Sequence, residues 1–356
     1  MSRIKVELSK NLKPKPADEN KLGFGNIFTD HMFIMNYDKG EGWHDPRIVP
    51  YAPIPFDPAA MCLHYGQEVF EGLKAYRTPD GHIQLFRPDE NFKRLNGSNG
   101  RICIPKFDET LALEGLKKLI EVEKDWIPSA EGTSLYIRPF IIATDAHLGV
   151  RAGDHYLFII ILSPVGAYYA EGINPVRIYV ETKYVRTVKG GTGAAKTAGN
   201  YAASLLAEAE AKAQNYTQVL WLDGVERKYI EEVGTMNVFF VLGNEVVTPL
   251  LAGSILPGIT RKSSIDILRS WGLKVSERML TIDEVVDAYE NGELKEMFGT
   301  GTAAVISPVG ELKYGDLVMK INDGKIGPIS QRLYDELTGI QWGRREDPFG
   351  WTVKID

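Results

Sequence analysis

The sequence predicts a two-domain protein of mixed α/β class, and three observations carry that expectation. At 356 residues the chain exceeds the size at which a single hydrophobic core stops growing. Short β-rich runs are interspersed with helical patterns, and the second half lacks the strict strand–helix–strand alternation of an all-parallel sheet. Between two apolar strands, residues 163–175 read SPVGAYYAEGINP, a Gly- and Pro-rich stretch of the kind that connects domains. It places a boundary at residue 172. The expected units are a small N-terminal α+β domain over 1–172 and a larger C-terminal domain over 173–356.

In the first unit the apolar runs at 33–37, 83–86, 134–144 and 156–162 read as strands, and 91–99 and 110–126 read as amphipathic helices. The proline-rich PYAPIPFDP at 50–58 reads as an extended surface loop. The second unit opens with a strand at 176–182 and reaches a glycine-rich stretch, Lys189 to Gly193, just before Lys196. An alanine-rich helix at 201–215 and a strand at 218–222 follow, then a hairpin at 236–248 turning on Gly243-Asn244. Helices are expected at 260–271 and 282–291.

Several function classes are excluded early. The charge of −6 comes from 47 acidic against 41 basic side chains, with no basic stripe, so nucleic acid is not an expected partner. The apolar run at 156–162 is far short of the roughly 20 residues that cross a bilayer. The polar, proline-broken start MSRIKVELSKNLKPKPADENK lacks the apolar run of a secretory signal. A soluble cytoplasmic protein is expected, with no membrane partner. Cys62 and Cys103 are far apart and belong to no CxxC or Cys/His cluster, so neither a disulfide nor a metal site is expected.

Lys196 admits two functional readings. Glycines at 190, 191 and 193 before Lys196-Thr197 approach the phosphate-binding loop G-x-x-x-x-G-K-[ST], and Asp223, at the end of an apolar strand, is placed to serve a magnesium ion. Against this, Ala195 puts a Cβ directly before the lysine, where a tight turn must bring backbone N–H groups onto phosphates. The other reading is a pyridoxal enzyme, which needs an amine, a carboxylate for the pyridine nitrogen, a donor for the phenolic oxygen and a phosphate cup. The chain has a candidate for each.

Six further segments occur in order: QEVFEGLKA at 67–75, LFRP at 85–88, SLYIRP at 134–139, EVGTMN at 232–237, LPG at 256–258 and FGTGTA at 298–303. With the lysine loop, they resemble the pyridoxal 5'-phosphate-dependent branched-chain aminotransferases over roughly residues 24–343. The resemblance implies a two-domain fold type IV enzyme that transfers amino groups between leucine, isoleucine or valine and 2-oxoglutarate. It also implies a homodimer with shared active sites.

Matched position by position, the resemblance implies that Lys196 holds the cofactor as a Schiff base and then acts as the base. Glu232 would face the pyridine nitrogen, and Tyr201 would donate to the phenolic oxygen. Arg87, with the helix start at Gly258-Ile259-Thr260, would hold the phosphate. Arg186, Thr235 and Thr302 would lie close to the cofactor. The turn Gly301-Thr302-Ala303, helped by Tyr136, would hold the substrate α-carboxylate, and Arg138 would accept the second carboxylate of glutamate. Phe70, Tyr65, Tyr168 and Val150 would line the side-chain pocket, with Tyr65 and Val150 supplied by a partner subunit. Glu231 reads as an ordinary exposed acid. Where some relatives carry a CxxC after this turn, the chain has Ala304-Val305-Ile306-Ser307, so no thiol switch is expected.

Overall fold

The computed structural model describes residues 4–166 and 173–355; the expected boundary at 172 and Tyr168 lie outside the described residues. Contacts divide the chain into two compact units, one of Met1–Ala170, Ala195–Ala198 and Gly339–Asp356, the other of Glu171–Ala194 and Gly199–Thr338. The lysine segment and the C-terminal stretch thus group with the first unit, whereas the sequence reading put both in the C-terminal domain.

The first unit is built on a nine-stranded sheet. Its order is Lys5–Val6, Gly42–Pro50, His31–Asp38, His155–Val165, Ser134–Ala143, Leu73–Arg77, Ile83–Phe86 and Thr352–Ile355, with Glu68–Phe70 pairing Ser134–Ala143 off this path. Strand alternation sorts the faces. From Ser134–Ala143, Leu135, Ile137 and Ile141 enter a core with Phe33, Phe92, Leu95, Leu116 and Phe158. Tyr136, Arg138 and Phe140, on the opposite face, are half-buried. Helices Pro88–Arg101 and Glu109–Val122 contribute to that core. The second begins where the Asp108 carboxylate accepts from the N–H groups of Thr110 and Leu111, a side-chain cap on otherwise orphaned donors. It stops at Glu123, and a separate 3-10 turn, Lys124–Trp126, completes the span expected as one helix.

The second unit holds another nine-stranded sheet, ordered Ile230–Val233, Gln218–Leu222, Val176–Glu181, Val305–Tyr314, Leu294–Gly301, Asn237–Leu242, Glu245–Pro249 and Lys274–Arg278. Leu317–Lys320 pairs Val305–Tyr314 off this path. The sheet is mixed: Val176–Glu181 runs parallel to both its neighbours, and Asn237–Leu242 antiparallel to both of its own. Ile178, Leu220, Phe240, Val247 and Leu312 are in its core. The hairpin turns at Gly243, whose φ of 55° suits a residue without Cβ. The expected helix at 201–215 is two shorter ones, Ala198–Ala202 and Leu205–Ala213.

One irregularity positions site residues. Leu220 pairs Val233 and Leu222 pairs Ile230, so Glu231 and Glu232 together oppose Trp221. Such a bulge breaks the alternation that would send neighbouring side chains to opposite faces. Among the described residues, no helix is long and apolar enough to cross a membrane.

Candidate active site

In the first unit, backbone bonds fix the Lys196 segment. The Lys196 N–H donates to Ser98 Oγ at 2.9 Å, and its carbonyl accepts from the Phe70 N–H at 3.0 Å. Thr197 Oγ1 donates to the Glu68 carbonyl at 2.6 Å. The half-buried Lys196 amine then lies 4.6 Å from the centre of the Phe70 ring, and the Arg138 guanidinium lies 4.8 Å from the same ring. Arg138 Nη2 also donates to the Tyr136 hydroxyl at 3.0 Å. A Cβ on Gly72 would strike that hydroxyl, so the glycine makes room for Tyr136. Arg87 is buried, in a left-handed conformation at the start of its helix, with its guanidinium 4.8 Å from the Trp351 ring. Tyr65 and Val150 are exposed, at 37% and 83%.

Behind Phe70 lies Glu71, wholly buried. It accepts from Arg94 Nε at 2.7 Å, Arg94 Nη2 at 2.8 Å and Asn91 Nδ2 at 2.7 Å. Burial pushes its carboxyl up, but the Arg94 guanidinium, joined by the Lys196 charge and the Asn91 amide, holds it below the ordinary value. Lys74, in register with Tyr136, is buried and pushed down to about 8 by desolvation.

In the second unit, Glu232 is buried; Oε1 accepts from the Leu256 N–H at 2.8 Å, and Oε2 lies 3.1 Å from Arg186 Nε. That Nε makes no aligned hydrogen bond, so this contact is a close ionic one. Helix Ile259–Ser270 follows Gly258 with no side-chain cap, which leaves an N-terminus of the kind that binds anions. Ile259 is half-buried and Thr260 buried. Tyr201 is half-buried on the short helix after the lysine segment, and Thr235 is exposed on the turn after Ile230–Val233. Thr302 and Ala303 are half-buried in the turn joining Leu294–Gly301 to Val305–Tyr314. Val305 closes that turn at φ 61°, a costly conformation for a β-branched residue.

Two readings from the sequence are corrected. Glu231 is not an exposed acid: it is 6% exposed, and Oε1 accepts from the Ser254 hydroxyl. Burial raises its carboxyl against the pull of that bond and of Arg186. The phosphate-loop alternative loses its magnesium aspartate, because the Asp223 carboxylate accepts from the N–H groups of Val225, Glu226, Lys228 and Tyr229. Sequence patterning also missed Ser254, Glu71 and Arg94, whose roles depend on contacts distant in the chain.

Residues 68–312 match the family model described as amino-transferase class IV. The chain belongs to the class IV aminotransferases. This aminotransferase is 62% identical to branched-chain-amino-acid aminotransferase 2 of Bacillus subtilis (strain 168) over 352 residues, covering 99% of this chain and 97% of the relative. It is 57% identical to branched-chain-amino-acid transaminase 1 of the same organism, covering 99% of each. Among solved structures, the Escherichia coli branched-chain amino acid aminotransferase superposes with a TM-score of 0.77 at 28% identity, covering 92% of this chain and 99% of that one. The mixed α+β architecture of this aminotransferase is therefore fold type IV.

The loop ahead of Lys196 is tightly packed. A Cβ on Gly193 would collide with the Ser254 carbonyl and Thr187 Oγ1. Gly193→Ala is expected to destabilise this aminotransferase by about 1–3 kcal/mol through overpacking, read as an earlier urea midpoint. An unchanged midpoint would mean the loop yields freely.

Proposed function

We propose that the protein exchanges the amino group of L-leucine, L-isoleucine or L-valine with 2-oxoglutarate, in two half-reactions at one bound pyridoxal 5'-phosphate. The observation that carries this is the Phe70 ring with the Lys196 amine at 4.6 Å and the Arg138 guanidinium at 4.8 Å. It joins a reactive amine, an apolar wall for a branched side chain and a cation for the second carboxylate of glutamate.

The residues suit this cofactor. Glu232 is a buried carboxylate already balanced by Arg186, and the uncapped start of Ile259–Ser270 suits a phosphate. When bound, the cofactor supplies an electron-accepting ring that stores the amino group between half-reactions. Lys196 would hold the cofactor through its amine and would serve as the base that takes and returns the proton at the substrate Cα. Glu232 keeps a proton on the pyridine nitrogen, with Arg186 orienting it, and Tyr201 donates to the phenolic oxygen. Arg87, the N–H groups of Ile259 and Thr260, and the hydroxyls of Thr235 and Thr302 hold the phosphate end. Tyr136 and the N–H groups of the Gly301-Thr302-Ala303 turn orient the α-carboxylate.

Phe70 forms a wall of the apolar pocket, completed by Tyr65 and Val150 of a second copy of the chain. The working enzyme is a cytoplasmic homodimer. The exposure of Tyr65 and Val150 supports their use across a subunit interface.

Purified protein is expected to be yellow, and borohydride is expected to bleach the colour while leaving the reduced cofactor covalently attached to Lys196. L-leucine, D-alanine and a chiral amine offered with 2-oxoglutarate separate the possible transaminases; turnover of D-alanine alone would sink the branched-chain assignment. Arg138→Ala is expected to lower kcat/KM for glutamate by about 10- to 100-fold, the loss of charged hydrogen bonds of about 1.5–3 kcal/mol. The leucine half-reaction should change little. Equal losses in both would remove the second-carboxylate role.

A further inference from the structure

We propose that Glu231 is a positioning residue: through Ser254 and Arg186 it orients the Glu232 carboxylate that meets the pyridine nitrogen. The inference rests on the assignment of Glu232 made above. The bulge opposite Trp221 lets two successive glutamates reach one loop. Glu231 Oε1 accepts from Ser254 Oγ, and Glu232 Oε1 accepts from the Leu256 N–H at 2.8 Å. The Ser254 carbonyl in turn accepts from Arg186 Nη2 at 2.6 Å and from Thr187 Oγ1 at 3.0 Å. Arg186 Nη2 also reaches the Gly193 carbonyl at 3.2 Å, three positions before Lys196. Arg186 Nε lies 3.1 Å from Glu232 Oε2 without an aligned bond.

That last contact explains why the other links matter. An ionic contact with no directional bond does not set the tilt of a guanidinium. The Nη2 bonds to Ser254 and Gly193 set it, and Ser254 is held from its hydroxyl by Glu231. Every side chain in the loop is buried: Glu231 is 6% exposed, Glu232 3%, Ser254 4% and Arg186 8%. Water therefore cannot readily replace a lost partner, and a break at Glu231 is passed along to Glu232. Among the described residues Glu231 Oε2 has no hydrogen-bond partner, so the bond that Oε1 accepts from Ser254 is the side-chain tie available to this carboxylate.

The test uses full-length protein, titrated as apoenzyme with pyridoxal 5'-phosphate carrying a ¹⁵N-labelled ring. Glu231→Ala is expected to weaken cofactor binding about tenfold, about 1.4 kcal/mol, and to move the ring ¹⁵N signal toward an unprotonated pyridine. Ser254→Ala should do the same, and the double variant should be no worse than either single one, because one link is broken twice. Glu231→Gln, which keeps the acceptor, should recover most of the affinity and the signal. Wild-type affinity and wild-type signal in Glu231→Ala, or single effects that add fully in the double variant, would overturn the proposal. If Glu231→Ala does not fold, Ser254→Ala carries the same test. Glu232→Ala separates the two levels. If it leaves the ¹⁵N signal unmoved, the Glu232 assignment falls and the proposal with it; if it moves the signal while Ser254→Ala does not, only the role of Glu231 falls.

Discussion

Lys196→Ala is expected to lower leucine–2-oxoglutarate transamination by about 10⁴-fold, the upper range for losing a positioned acid–base group, while leaving the fold intact. The two outcomes separate because the three bonds that tie this segment down are made by other atoms than the lysine amine. The Lys196 N–H, the Lys196 carbonyl and Thr197 Oγ1 make the bonds to Ser98, Phe70 and Glu68, and none needs the lysine side chain. The thermal midpoint should therefore stay within a few degrees of wild type as turnover disappears, and borohydride should leave no label at position 196. A variant that keeps even a hundredth of wild-type turnover would show that another group moves the proton.

Glu71→Ala is expected to have the opposite signature, a loss of stability. Glu71 has no exposed surface, and its removal takes the two-point carboxylate contact from Arg94, a side chain 11% exposed. Breaking one side of a buried pair costs about 3–5 kcal/mol; at about 2–4 °C per kcal/mol for a body of this size, the midpoint should fall by about 10 °C. The pH dependence has a definite sign. Because the folded carboxyl is held below its ordinary 4.5, its ionised form stabilises the fold fully above that value. The contribution is lost as pH falls through the lower folded value. Wild-type stability should drop on acidification below about pH 4.5, and Glu71→Gln should lack that component. A Glu71→Ala midpoint within a degree or two of wild type would mean that the Arg94–Glu71 contact contributes little to stability.

Much of this was legible in the sequence because it is local. Strand Gln218–Leu222, strand Ile83–Phe86 and the hairpin about Gly243 each carry their pattern within one short window. So does the helix start at Gly258-Ile259-Thr260. What escaped was non-local or masked by burial. Leu73–Arg77 is buried at four of its five positions, so it shows no polar alternation. Thr352–Ile355 is a strand only because it pairs with Ile83–Phe86, far back in the chain. Gly42–Pro50 hides behind Asp45-Pro46, which reads as a turn; its Asp45 does take a positive φ, at 49°. Glu231 was misread because two adjacent acids in a strand look like one inward and one outward residue, and only the shift of register against Leu220 and Leu222 turns both inward.

The placement of Arg87 has a consequence for the order in which the protein is made. Its N–H donates to the Trp351 carbonyl at 2.8 Å, and its guanidinium lies over the Trp351 ring. Trp351 leaves the ribosome roughly 260 residues after Arg87, on the order of tens of seconds later at usual rates of synthesis. During that interval the arginine has neither its backbone partner nor its aromatic platform. A nascent chain arrested before Trp351 should therefore capture pyridoxal phosphate poorly, even with its lysine already translated.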